Sequence, residues 1–322
     1  MPSFSLSIFT DPVLQPIGLL AVVMLVEALW AWPEKFHPLS FARLLARRMA
    51  DKVHPSTERS ELQQKISGSL AIFMLLLPLA MILLIFTSMA HFPLFFDALL
   101  LLVALQYQTV VKRSHKVAKA LGQQKKVLAR QTLAHMVLRE TERLSPIGIA
   151  KATIESLLLR FAQQYCSVIF YYLIFGGVGA LCYRLIYEFS HCWNIKIHRF
   201  RSFGYPAAKI MHIMQFIPVR LYGLIFMLAQ NISGGLAAWR SGSKNPCSHV
   251  WLFTIGGGAL GIELGGPAYY NDQKIRFRKC GGQRQVRFED IERTIHAVQL
   301  TKIVMVAICL LIGSALYSWQ RV

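Results

Sequence analysis

The chain has 322 residues, 54% of them hydrophobic and only 16% charged, and its 35 Lys and Arg against 16 Asp and Glu leave a net charge of +19. So apolar a balance excludes a disordered chain and lies well to one side of an ordinary water-soluble domain. Nucleic acid is not the expected partner of the basic charge, because aromatic residues do not interleave with the Lys/Arg clusters as a strand-binding groove requires; the charge is assigned instead to loops that lie on anionic lipid.

Apolar residues fall in blocks separated by basic segments, the pattern of membrane spans joined by solvated loops. The first block, about 13–32, follows a start (MPSFSLSIFTDP) without a basic n-region or a later small-residue cleavage site, and so reads as a retained anchor. Blocks at about 66–90 and 94–111 are separated only by HFPL and form a hairpin of two spans. Seven Lys and Arg lie between the first and second blocks and eleven more between the third block and Arg160. The positive-inside bias puts both segments in the cytoplasm and the N-terminus and HFPL turn outside. The fourth block, 165–189, is interrupted by Gly176, Gly177 and Gly179, which leaves two readings: a re-entrant hairpin bent at the glycines, or a full span whose partner, about 210–228, returns. Both readings leave residues 256–270 and the basic segment 274–293 cytoplasmic, with the last block, about 303–319, crossing outward. The expected fold is an all-α integral membrane protein with about four to six membrane-embedded helices and a basic cytoplasmic face, residues 1–322 forming a single domain.

The stretch GGGALGIELGGPAYY, 256–270, contains the spacing G-x-G-x-x-G at Gly256, Gly258 and Gly261. A dinucleotide site needs a preceding strand, a helix opening at the third glycine and an acid about 20 residues on; here Gly265, Gly266 and Pro267 stop any helix and residues 276–284 are basic or neutral. A Walker loop fails for want of Gly-Lys-Ser/Thr. What remains is backbone able to approach a phosphate or carboxylate closely, ending in a turn at Gly-Gly-Pro, or tight packing alone. The six cysteines form no C-x-x-C pair and read as small core residues, and no metal site is expected.

Other candidates carry two readings each. His37 in WPEKFHP is a base or ligand, or an interfacial side chain. Arg139, Glu140 and Thr141 grip a phosphate or end a solvated helix. Glu155 falls in an apolar helix, where an acid is paired or functional. Lys196, Arg199 and Arg201 face a ligand or lipid headgroups.

In order along the chain, these segments resemble the CobD/CbiB family of inner-membrane cobalamin biosynthesis proteins. GALGIELGGPAYY is similar to that family's GALG and LGGP signature, WPEKFHP to its His-Pro entry, LRETERL to its G-R-D-T box, ATIESL to its glutamate motif and IPVRLYGL to its P-A-R box. The resemblance implies ATP-assisted amide formation between a corrinoid carboxyl of the cobyric-acid type and an aminoalcohol or its phosphate, with ATP and Mg²⁺ as cofactors, in a bacterial inner membrane with the basic loops cytoplasmic. It assigns Glu155, Arg139 and Thr141 to catalysis, and His37, Lys196, Arg201, Arg220, Gly265, Gly266, Pro267 and Tyr270 to ligand or anion binding in a shared pocket. The sequence also departs from the family. Leu159, Arg160 and Gln163 replace Glu, Asn and Asp, Tyr187 and Ser190 stand in an N-T-L-D box, and Phe253 stands where a carboxylate is kept. Glu263 and Asp272 are the candidate substitute carboxylates. The departures leave a second expectation: a non-catalytic sensor or accessory protein of the AmpE type, with the fold kept and the catalytic acids lost.

Overall fold

The computed structural model describes residues 14–30, 32–54, 59–242, 247–270 and 273–319. It is a predominantly helical membrane protein with one β-hairpin among the described residues. In chain order the helices are α1 (Leu14–Leu29), α2 (Pro38–Val53), α3 (Glu61–Met89), α4 (Pro93–Ala104), α5 (Gln108–Gly122), α6 (Lys126–Ala134), α7 (Pro146–Phe161), α8 (Ser167–Cys192), α9 (Tyr205–Gln230), α10 (Ile232–Ser241), α11 (Ser248–Leu260) and α12 (Glu289–Trp319), and the hairpin strands β1 (Glu263–Tyr270) and β2 (Gln273–Gly281) lie between the last two. Among the described residues, five helical segments are long and apolar enough to cross a membrane: Glu61–Met89, Pro93–Gly122, Pro146–Cys192, Tyr205–Gln230 and Glu289–Ser318, with α1 a shorter apolar helix. This is a multi-pass membrane protein.

Local chemistry explains where the helices start. Pro38, Pro93 and Pro146 open α2, α4 and α7, positions where the missing N–H costs nothing and the fixed φ is already helical. The Ser145 hydroxyl accepts the Gly148 N–H at 3.1 Å and caps α7. Between α3 and α4 only Ala90, His91 and Phe92 intervene, which matches the hairpin expected at HFPL. The span expected over 94–111 falls within the helical segment Pro93–Gly122, which is interrupted: α4 stops at Ala104, and α5 restarts at Gln108 as an amphipathic helix that buries Val110, Val111, Ser114, Val117, Ala118 and Leu121 and exposes its lysines. Gln106 and Gln108 mark that change of face in the sequence.

The fourth block is helical but broken. Gly176 adopts φ +66° and ψ −167°, outside the helical region, and the Asp97 carboxylate accepts the Gly177 N–H at 2.6 Å just beyond it. Only glycine adopts this backbone without strain, so the helix kinks at Gly176, one of the glycines named in the re-entrant reading.

The chain divides into two compact units. The first comprises Met1–Gln106, Gln164–Phe216 and Cys309–Val322; the second comprises Tyr107–Gln163 and Ile217–Ile308. In the first, Trp193, Tyr183 and Phe203 are fully buried, the Trp193 indole donates to the Ala46 carbonyl at 3.0 Å, and His54 stacks on Phe203 with ring centres 5.1 Å apart. In the second, Phe161, Tyr222, Phe226, Leu252 and Leu264 form a buried core.

Candidate functional site

The second unit gathers charge at one place, around the first half of the hairpin. On α7, Lys151 and Glu155 are one helical turn apart and share a face. Glu155 is buried, and both its carboxylate oxygens are taken: Oε1 accepts the Gly265 N–H at 2.7 Å and Oε2 accepts from the Arg139 guanidinium. Lys151 reaches Glu263 Oε1 at 3.1 Å, and Lys279 on β2 reaches Glu263 Oε2 at 3.2 Å. Three cations and two carboxylates thus meet where β1 begins. Glu263 is held below the usual carboxylate range: desolvation pushes its pKa up, but hydrogen bonds and charge from Lys151 and Lys279 outweigh it.

The backbone at this point is shaped by glycine. β1 and β2 pair antiparallel, Leu264 opposite Cys280 and Gly266 opposite Phe277, with a bulge between Leu264 and Gly266. Gly265 lies at φ +79°, and a Cβ there would stand 2.3 Å from the Arg278 carbonyl oxygen. The bulge turns the Gly265 N–H toward Glu155, so α7 and the hairpin are joined by a charged acceptor and a backbone donor. A second tie comes from the Glu140 N–H, which donates to the Tyr269 carbonyl at 2.9 Å. Arg143 lies over the Tyr269 ring at 5.4 Å.

The expectation of a turn at Gly-Gly-Pro is corrected. Gly265, Gly266 and Pro267 lie within β1, and the strand absorbs the glycines as a bulge. Gly256, Gly257 and Gly258 end α11 instead, where Gly258 packs closely on Gly234 and Ala238 of α10, and Gly261 is the left-handed cap. A helix, not a strand, precedes the G-x-G-x-x-G spacing, in line with the rejection of a dinucleotide fingerprint.

Of the residues singled out in the sequence, Arg139, Glu155 and Gly265 touch, with Gly266 beside them; Thr141 is buried nearby in sequence, and Pro267 is exposed. The side chain of Tyr270 and all of Asp272 lie outside the described residues. Arg220 contacts Ser248 Oγ at 3.3 Å and stacks over Trp251 at 5.7 Å. The remaining three belong to the first unit. Lys196 and Arg201 are exposed there, while neighbouring Arg199 pairs with Asp51 at 2.8 Å. His37 is buried as the N-cap of α2, its Nδ1 accepting the Leu39 N–H at 3.2 Å. Sequence reasoning missed Lys151 and Lys279; the i,i+4 spacing of Lys151 and Glu155 was the available signal. Where the family acids are replaced, the side chains are engaged differently: Arg160 donates to the Met136 carbonyl at 2.7 Å, Gln163 meets His249 at 3.0 Å, and Gln164 donates to the Tyr187 hydroxyl at 2.8 Å.

His37 gives a pH prediction. Burial, then the nearby charges of Arg184 and Arg43, lower its pKa from 6.5 to about 4, which keeps Nδ1 free to accept the cap bond. The folded state therefore resists protonation that the unfolded state accepts. Stability from this source is complete above about pH 6.5 and is lost as the pH falls from there toward 4, on the order of 2 kcal/mol in all. Thermal unfolding between pH 7.5 and 4.5 checks it: His37→Asn, which keeps a capping acceptor but does not titrate, flattens the profile, and an unchanged slope contradicts the assignment.

The fold and site define a helical multi-pass membrane protein with a mixed-charge cluster at a glycine-bulged hairpin. The family model for the CobD/Cbib protein matches residues 20–298, and the chain belongs to that family. It is 28% identical to the cobalamin biosynthesis protein CobD of Chromobacterium violaceum over 283 residues, covering 87% of this chain and 91% of that one. To the CobD of Stutzerimonas stutzeri it is 27% identical over 257 residues (78% and 82% of the two chains), and to that of Listeria monocytogenes serotype 4b 31% identical over 195 residues (58% and 62%). No solved structure matches.

Proposed function

We propose that this protein acts in cobalamin biosynthesis at a bacterial inner membrane, basic loops toward the cytoplasm, and forms an amide between a carboxyl of a cobyric-acid-type corrinoid and an aminoalcohol or its phosphate, with ATP. The observation that carries the reading is the convergence of Arg139, Lys151, Lys279, Glu155 and Glu263 on the Gly265 bulge in one compact unit. The relatives, named as cobalamin biosynthesis proteins, support it over the AmpE-like sensor, which they do not favour.

A free carboxylate is a poor acyl donor, and ATP would supply the phosphoryl group that turns one of its oxygens into a leaving group for the attacking amine. The chain's part is to hold phosphates and to receive the proton released by the attacking amine. Lys151 and Lys279, shared on one carboxylate, are the cations available to a phosphate that displaces Glu263 from one of them. Glu263 then has an oxygen free for the amine proton or for Mg²⁺. Magnesium on nucleotide phosphates needs only one or two protein carboxylates, and Glu263 would be the one to hold it here. Glu155, with both oxygens engaged, positions Arg139 and the bulge, and Thr141 stands close by in the chain on the loop between α6 and α7.

Complementation tests the reading. In a strain lacking the amide-forming synthase, the wild-type gene is expected to restore growth on cobyric acid, and Lys151→Ala to reduce corrinoid product by about a hundredfold. Absence of growth with the wild-type protein present in the membrane would overturn the proposal.

A further inference from the structure

The first unit contains a second concentration of buried charge that the amide-forming reading leaves unused. Arg184, on the part of α8 that follows the Gly176 break, has a side chain only 2% exposed, and Glu188 one turn later is 4% exposed. Arg184 Nη2 pairs with Glu188 Oε1 at 2.8 Å, and Arg43 from α2 approaches the other oxygen, Oε2, at 3.6 Å. The Arg184 guanidinium lies over the Tyr187 ring at 4.9 Å. Its remaining nitrogens, Nε and Nη1, are buried with no hydrogen-bond acceptor among the described residues.

Two features of this cluster point the same way. Among the described residues, two guanidiniums, Arg184 and Arg43, both ion-pair with the single carboxylate of Glu188, and neutral His37, on which both arginines act, adds no negative charge. The cluster's free valences are all donors. Two nitrogens of Arg184, Nε and Nη1, have no acceptor among the described residues, and because His37 Nδ1 accepts from Leu39, the neutral ring carries its proton on Nε2. An orphaned N–H on a buried cation is strongly unfavourable when nothing accepts it, and an ionisable residue within a membrane-spanning segment is rarely left unmatched. A water molecule offers an acceptor to the N–H groups but leaves the excess positive charge uncompensated; an anion meets both needs.

We infer that the first unit contains an anion-binding site centred on Arg184, with Arg43 and His37 beside it, that takes a phosphate or carboxylate group. Glu188 is its internal competitor: it occupies one edge of the guanidinium and withdraws as the ligand's anion arrives. The group has two possible sources, a soluble phosphorylated or carboxylated small molecule and the headgroup of an anionic phospholipid.

The test uses the full chain in nanodiscs, with thermal unfolding as the readout of binding. In neutral phosphatidylcholine discs, inorganic phosphate is expected to raise the Tm of the wild type in a saturable way, with chloride at equal ionic strength as the control; this result identifies a soluble ligand. Stabilisation seen only on incorporating phosphatidylglycerol, and not with phosphate, identifies the headgroup. Arg184→Gln is expected to weaken either response at least tenfold in half-saturating concentration, the loss of one charge-assisted contact of about 1.4 kcal/mol. Glu188→Gln is expected to tighten it by a similar factor, which a purely structural ion pair does not do, and this variant decides the matter if Arg184→Gln does not fold. A wild type that responds to neither anion, or a Glu188→Gln variant that binds no more tightly than wild type, would overturn the inference.

Discussion

Glu155→Ala is expected to destabilise the second unit by about 3–5 kcal/mol, the cost of removing one partner of a buried charged pair. The variant strands two groups at once. Arg139, its side chain 14% exposed, loses its carboxylate, and the Gly265 N–H loses its acceptor at 2.7 Å. Glu155→Gln separates these effects, since the amide oxygen still accepts from Gly265 while the charge opposite Arg139 is gone. An intermediate loss, about 1–3 kcal/mol, is expected there. Denaturant unfolding of the detergent-solubilised protein measures both. If Glu155→Ala unfolds at the wild-type midpoint, the clamp between α7 and the hairpin does not exist as described. The pair also separates roles in turnover: a positioning Glu155 gives Glu155→Gln a partial loss in kcat with an unshifted pH profile, whereas a proton-transferring one removes the basic limb of that profile.

Gly265→Ala is the second large effect. The residue's φ of +79° carries about 1–3 kcal/mol of strain for any side chain, and the added Cβ meets the Arg278 carbonyl at 2.3 Å, so β2 must move away. Gly266 is the internal control: its φ is +114°, yet a Cβ there meets nothing within 4 Å. Gly266→Ala should show only the strain, and Gly265→Ala a clearly larger loss of stability and of Glu155-dependent activity. Equal effects for the two substitutions would contradict the close approach of strand and carbonyl at Gly265.

The hydrophobic blocks, HFPL and the glycines of the fourth block carried the membrane architecture in plain view, because a span is a composition signal summed over some twenty residues. The break between α4 and α5 is marked only by Gln106, Gln108 and Thr109, because apolar residues resume at Val110 and Val111 in a helix that buries one face. GGGALGIELGGPAYY was legible as special and misread in form. Its first glycines lie at the end of a helix and its later ones in a strand, and pairing with β2, a tertiary event, converts an expected turn into a bulge. At the site, Glu155 and Arg139 stood out as an acid in an apolar helix and an arginine before an SP turn. Lys151 and Lys279 did not stand out, being ordinary members of a basic excess of +19 whose importance comes only from meeting Glu263. His37 carried the right residue type but a different immediate task, capping α2.

Product analysis on the purified protein tests the proposed amide-forming reaction most directly. In nanodiscs with Mg-ATP, a cobyric-acid-type corrinoid and an aminoalcohol phosphate, the corrinoid is expected to gain the mass of the amine less one water, with one ADP released per product and both signals lost together in Lys151→Ala. An unmodified corrinoid from folded wild-type protein, with no ADP formed or with ADP formed independently of the amine, would contradict it.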